Sequence, residues 1–370
     1  MNSAYKLLDE NDKATTRTLL HEAVPITGTI VSGTYGTFPN NDNVKNYNHG
    51  MFQSIYDYPY LSSSANHIFD LTVAVGAGSG LYANVTSQKS KKKNIYNQMA
   101  QVLVGYDVTG GILQFDQDGD FAAGGQKYDD GYFINLARLL TKDEIKKETF
   151  ELTLGATQAY ATPFTKTVKL VDLSASTEYR VNSPVGDYGI LYATSSDGIF
   201  NASAVDSNGY AKAGLIYYQA GVVFVSKNLF TTGSGSSALP GLLTSSHGNI
   251  HLDSSNNDID VTLKTIEISG AANAFRHRMK NLQFNNTTEI NSTIYFCRAN
   301  HNEFNYSSNP TYLSSSKMVV KNESTDLPVS YVTTVGLYNS KQELLAVAKL
   351  SECLRKDPST EFVLRVRVDY

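Results

Sequence analysis

Residues 214–227 read GLIYYQAGVVFVSK, two runs of aliphatic and aromatic side chains, Leu215–Tyr218 and Val222–Val225, with Gln219, Ala220 and Gly221 between them. Short runs of this composition, bounded by turn-forming residues, are the signature of β-strands. The pattern repeats outward: TVKLVDL (167–173), YGILYAT (188–194) and IDVTLKTIEI (259–268) lie between clusters of Gly, Ser, Asn and Asp. From Phe150 to about Gly270 the chain therefore predicts nearly continuous β structure, with an antiparallel β-sandwich or barrel-like unit as the expected architecture.

Toward the C-terminus, STIYFCRA (292–299), SYVTTVGLYN (330–339), ELLAVAKL (343–350) and EFVLRVRVDY (361–370) continue the strand pattern, and Asn339–Gln342 falls where a hairpin turn belongs. In the last of these, Phe362, Leu364, Val366 and Val368 share one face and Arg365, Arg367 and Asp369 the other, which predicts a half-buried strand with its apolar face in a core.

Helical signals are expected between about residues 92 and 148. In KKKNIYNQMAQVLVGY (91–106), Ile95, Met99, Val102 and Leu103 recur at one- and two-turn spacing with Gly105 just beyond, the pattern of a helix closed by a glycine cap. Thr141 and Glu144 stand at capping-box spacing ahead of another turn or two. Leu7–Leu20 reads as a short helix or an arm. The expected fold is thus mostly β with a minor helical part (α+β). Its expected divisions are an N-terminal arm and mixed α/β unit over 1–150, a strand-rich β domain over 151–274, and a C-terminal β unit over 275–370 packed with the N-terminal unit.

The composition supports a folded chain: of 370 residues, 41% are hydrophobic and only 18% charged, too few charges to hold the chain open. A net charge of −4 supplies no general field for phosphates and disfavours sequence-independent binding to nucleic acid. Cys297 and Cys353 are too few and too far apart for a disulfide framework or a metal knuckle, so folding in a reducing cytoplasm is expected. No apolar run approaches the ~20 residues of a membrane span, and no secretion signal opens the chain.

Motifs for chemistry are weak. Asp116, Asp118 and Asp120 in FDQDGDF alternate as cation ligands do, but Gly119 and Lys127 stand where a calcium loop needs other residues, and a solvated turn is the preferred reading. VAVGAGSG (73–80) lacks phosphate-loop spacing, His247 and His251 form no zinc motif, and no nucleophile elbow is present. The expectation is therefore no enzyme, no cofactor and no metal. The chain holds 24 Tyr, and the aromatic stretch around Pro59, with Phe52, Tyr56, Tyr58 and Tyr60, would expose a large patch unless something covers it. Lys91, Lys92 and Lys93 open the predicted helix, where cations oppose its dipole. These seven residues are the candidate interface.

The segments YNHGMFQSIYDYPYLSSSANHIFDLTV (47–73), KKKNIYNQMAQVLVGYD (91–107), FINLARLLTKDEIKKETF (133–150), EINSTIYFCRANHNEFNYSSNPTYLSSS (289–316) and PVSYVTTVGLYNSKQELLAVAKL (328–350) resemble a family of virion structural proteins of marine contractile-tailed (T-even-type) bacteriophages. The resemblance spreads from Tyr47 to Tyr370 and is loosest in the strand-rich centre. It implies a multi-copy place in the tail, baseplate or neck of the particle, after synthesis in the host bacterial cytoplasm. The implied partners are copies of the chain and other virion proteins, with no membrane. It carries no site residues. A receptor- or glycan-binding β-sandwich at a tail tip or fibre, meeting a host-surface receptor, is the alternative the aromatic, strand-rich text permits.

Overall fold

Strands Ala211–Tyr217 and Val222–Ser226 form the expected hairpin, with Leu215 opposite Phe224 and Tyr217 opposite Val222. They sit in the middle of an eleven-stranded antiparallel sheet. Its order is Met279–Gln283, Glu151–Gly155, Thr167–Val171, Gly186–Thr194, Ala211–Tyr217, Val222–Ser226, Asp130–Asn135, His67–Val75, Gln53–Tyr56 and Val44–Asn46, with Arg180–Ser183 added beside Gly186–Thr194. This computed structural model describes residues 5–25, 42–83, 87–122, 124–140, 143–173, 175–233, 241–306, 313–314, 317–318, 325 and 328–369. It is 41% strand and 15% helix, a mostly-β α+β, sandwich-like fold.

The central strands read as unbroken apolar runs because both of their faces are covered. Every residue of Val222–Ser226 is buried. In the neighbouring strand, side chains alternate across the sheet. Tyr132 stacks on Phe275 at 4.4 Å, while Phe133 packs with Phe115 and Phe224 at 5.3 and 4.9 Å. Phe275 belongs to the helix Ile268–Arg276, and Phe115 also meets Tyr96 of the helix Ser87–Leu103. That long helix is the one expected from its apolar spacing: Ile95, Tyr96, Ala100 and Leu103 are buried. It ends at Gly105, whose φ of +95° is left-handed and whose N–H reaches back to the Ala100 carbonyl.

Several local expectations are corrected. IDVTLKTIEI forms no strand but the helix Ile259–Thr265 and the start of Ile268–Arg276. Asp258 caps the first by accepting from the Val261 N–H at 3.0 Å. Ile268, Ala271, Ala272 and Phe275 bury one stripe of the second. Helical content is therefore not confined to 92–148. FINLARLL splits into the end of the strand Asp130–Asn135 and one helical turn at Ala137–Leu140, and Glu144 lies in a strand opposite Thr287; Thr141 lies outside the described residues. Leu7–Leu20 contributes a 3-10 turn, Glu10–Asp12, and then the strand Lys13–Pro25.

The chain divides into two compact units, His21–Thr288 and a smaller one made of Met1–Leu20 with Glu289–Tyr370. The large sheet runs from Val44 to Gln283 with no break at 150 or 274, because strand pairing joins segments that differ in local strand density. Among the described residues no helix is long and apolar enough to cross a membrane.

The two units are built differently. All of the continuous hydrophobic core, from Ile55 to Phe284, belongs to His21–Thr288. In the smaller unit, Ser292–Ala299 pairs with Phe362–Asp369, and Ser330–Tyr338 with Leu344–Lys356 around the expected turn at Asn339–Gln342. Yet Ala299 and Val366 are its only buried hydrophobic residues among those described. Its internal contacts are largely polar. Lys356, wholly buried, donates to Asn305 Oδ1 at 2.6 Å and to the Asp357 carbonyl at 2.9 Å, Arg298 pairs with Asp12, and Ser292 donates to Asp369.

Candidate functional site

The residues singled out from sequence do not act as one patch. Tyr58 and Tyr60 are exposed, as an interface requires, whereas Phe52 and Tyr56 are half-buried. Phe52 packs 5.0 Å from both Tyr47 and His49, and Tyr56 meets His67 edge-on at 5.5 Å. The basic run splits, since the three lysines point in different directions from one helix. Lys91 donates to the His49 carbonyl at 2.9 Å, and Lys93 is half-buried. Lys92 is fully buried, and its ammonium donates to the Leu263 and Ile266 carbonyls at 2.8 and 2.5 Å. It closes the C-terminal end of Ile259–Thr265, where the helix dipole and unpaired carbonyls favour a cation. Lys92 is therefore an internal clamp and is withdrawn from the interface.

Asp116, Asp118 and Asp120 do converge, with ligand atoms within 4.8 Å of one another. Their geometry has an explanation inside the chain. Each carboxylate accepts from the backbone N–H two residues on, Asp118, Asp120 and Ala122 in turn, at 3.4, 3.3 and 2.7 Å. Lys127, paired across the strands with Asp116, bonds the Asp116 carboxylate and the Ala122 carbonyl. Burial pushes Asp116 up despite Lys127. Burial acts in the same sense on Asp118, but the Asp120 N–H and the Asp116 carboxyl hold it below its usual range. The two split as neighbouring carboxyls do.

Serine, histidine and aspartate also meet at one point. Ser54 Oγ and His67 Nε2 both bond Asp70 Oδ1, at 2.5 and 2.7 Å. Burial would raise Asp70, yet the bonds from His67 and Ser54 hold it below its usual range. Both groups face the carboxylate, so the imidazole is not placed to take the serine proton as a catalytic triad requires. In the GAGSG tract Ser79 is buried and donates to the buried Asp130 at 2.7 Å, and Lys227 pairs with the same carboxylate at 2.9 Å.

The most unusual surface lies in the smaller unit and was missed from sequence. Tyr331, Tyr338, Leu344, Leu345, Val347 and Leu354 of the 330–356 hairpin are all exposed, as is Val363 of the last strand. Phe362, Leu364 and Val368 are only half-buried, so the expected core face of that strand is covered at Val366 alone. The signal was present: Leu344–Ala348 is apolar at consecutive positions, which in a strand means two faces that avoid water. Among the described residues the hairpin strands pair only with each other.

The chain matches no protein-family model, no curated protein and no solved structure.

Proposed function

We propose that this chain is a multi-copy structural protein of a bacteriophage particle, in its tail, baseplate or neck, that packs against copies of itself and other virion proteins. The observation that carries the reading is that, among the described residues, the smaller unit buries only Ala299 and Val366 of its hydrophobic residues. The thirteen-residue strand Leu344–Lys356 exposes Leu344, Leu345, Val347 and Leu354 on the chain taken alone. An isolated two-stranded ribbon is marginal in water, and exposed apolar faces of this extent mark association surfaces. Strands that find their core only between chains are what a repeated building block needs. The resemblance of the sequence to phage virion proteins supplies the setting, and no catalytic role is invoked.

Mass spectrometry of purified particles tests the setting: the protein is expected in intact virions at several copies, and its absence overturns the proposal. The exposed Tyr58 and Tyr60 favour one second reading, a receptor- or glycan-binding module. Specific adsorption of the purified protein to host cells would support that reading over an internal joint.

A further inference from the structure

A cleft of about 540 Å³ opens in the larger unit between the helix Ser87–Leu103 and the strands His67–Val75 and Asp130–Asn135 of the large sheet. Its size falls in the range of small-molecule sites, ~300–1,000 Å³. Phe52, Ile95, Met99 and Phe133 give it an apolar floor. The polar groups around that floor are mostly committed. Thr72 donates to the Met51 carbonyl at 2.6 Å, Asn135 Oδ1 accepts the Ala137 N–H at 2.9 Å, and Asp70 is held by Ser54 and His67.

Beside the Gln98 amide, two donors stand out at the cleft, one a guanidinium and one an imidazole N–H. Arg138 lines it and is exposed, and its charge helps to hold the Asp70 carboxyl below its usual range, after the bonds from His67 and Ser54. His49 accepts the Met51 N–H on Nδ1 at 3.0 Å, so its neutral ring carries the proton on Nε2 and donates there. The ring is held by stacking on Tyr47, 5.1 Å away and tilted by 8°. Lys91, bonded to the His49 carbonyl, adds positive charge behind it. Asp70 is the one carboxylate lining the cleft, and it already has its donors.

An apolar floor beside a guanidinium and an imidazole N–H is complementary to one kind of ligand. We infer that this cleft binds a carboxylate carried on an apolar body, with Arg138 taking the carboxylate and Phe52, Met99 and Phe133 taking the body. The carboxylate can come from a free acid or from the terminus of a peptide. The inference does not depend on the protein's place in a particle.

The test is calorimetric or saturation-transfer NMR titration of the full chain with 3-phenylpropionate and with N-acetylphenylalanine, each against its neutral amide. Saturable binding of a carboxylate, at least tenfold weaker for its amide and for Arg138→Gln, is expected. Met99→Trp, which fills the floor, should abolish it while an unchanged melting curve shows the fold intact. Preference for N-acetylphenylalanine would identify a peptide terminus, and equal binding of both acids a free acid. No saturable binding up to 20 mM, on the order of the weakest useful site, or equal binding of acid, amide and Arg138→Gln, overturns the inference.

Discussion

The double substitution Leu345→Glu/Val347→Glu addresses the reading of the smaller unit directly. Leu345 is 69% and Val347 57% exposed in the single chain, which together leave roughly 240 Å² of largely apolar surface in water. Covering that area in an assembly gives, at ~25 cal/mol per Å², about 6 kcal/mol per copy. Association costs consume part of it, and realising only half leaves ~3 kcal/mol, a hundredfold or more in affinity. The seven exposed apolar residues of the 330–356 hairpin and the last strand come to roughly 700 Å², close to the ~800 Å² per partner of a standard interface. Sedimentation velocity at micromolar concentration should show an oligomer for the native chain and a dissociated species for the variant. Because both side chains already lie in solvent, the melting of the larger unit should not move. A native chain that sediments as a monomer, or a variant that assembles as well as the native chain, would refute the reasoning.

Three further outcomes test the larger unit by urea denaturation. Lys92→Met removes the cation on the Leu263 and Ile266 carbonyls and should cost about 1–3 kcal/mol, whereas Lys91→Met, on an exposed bond, should cost under about 0.5 kcal/mol; equal effects would show that Lys92 is no clamp. Arg278 is wholly buried and donates to the Gly155, Thr157, Gln158, Ala159 and His251 carbonyls. Arg278→Met should lose about 3–5 kcal/mol, and a loss under 1 kcal/mol would mean the loop satisfies those carbonyls by other means. Burial pushes Asp172 up to about 7, even though the Glu148 and Phe150 N–H groups bond its carboxylate. A carboxyl raised on folding keeps its proton longer in the native state. Its contribution is complete below the unfolded value near 4 and is lost as pH rises through about 7, by up to about 4 kcal/mol. The urea midpoint should therefore fall from pH 4.5 to pH 8 and do so less in Asp172→Asn; a native midpoint that rises or stays level across this window contradicts the assignment.

Much of the fold was legible because it is encoded locally. TVKLVDL, YGILYAT and GLIYYQAGVVFVSK carry β-branched and aromatic runs between turn residues, and each became a strand of the large sheet. The 91–106 helix showed itself by period and glycine cap. IDVTLKTIEI failed because its β-branched residues have high strand propensity, while the Asp258 cap and packing of Leu263 and Ile268 in the core decided for helix. Of the candidate interface residues Tyr58 and Tyr60 are exposed, whereas Lys92, expected at the surface, is buried. Nothing in three consecutive lysines says which one meets a helix end 171 residues away.

By itself, the sequence determined that this chain is mostly β and where its main strands and long helix lie; it read Asp116, Asp118 and Asp120 as a solvated turn, whereas Asp116 is buried in the strand Phe115–Asp116. Side-chain period and turn chemistry are properties of neighbouring residues, so they can be read along the chain. Only the tertiary structure decided that the sheet joins residues 44 to 283, that Lys92 and Arg278 are internal cations, and that the cleft beside Phe52 is rimmed by His49 and Arg138. It also decided that the apolar hairpin 330–356 is left uncovered. Burial is a sum over contacts between distant segments, and apolar text demands a cover without saying whether that cover lies in the same chain.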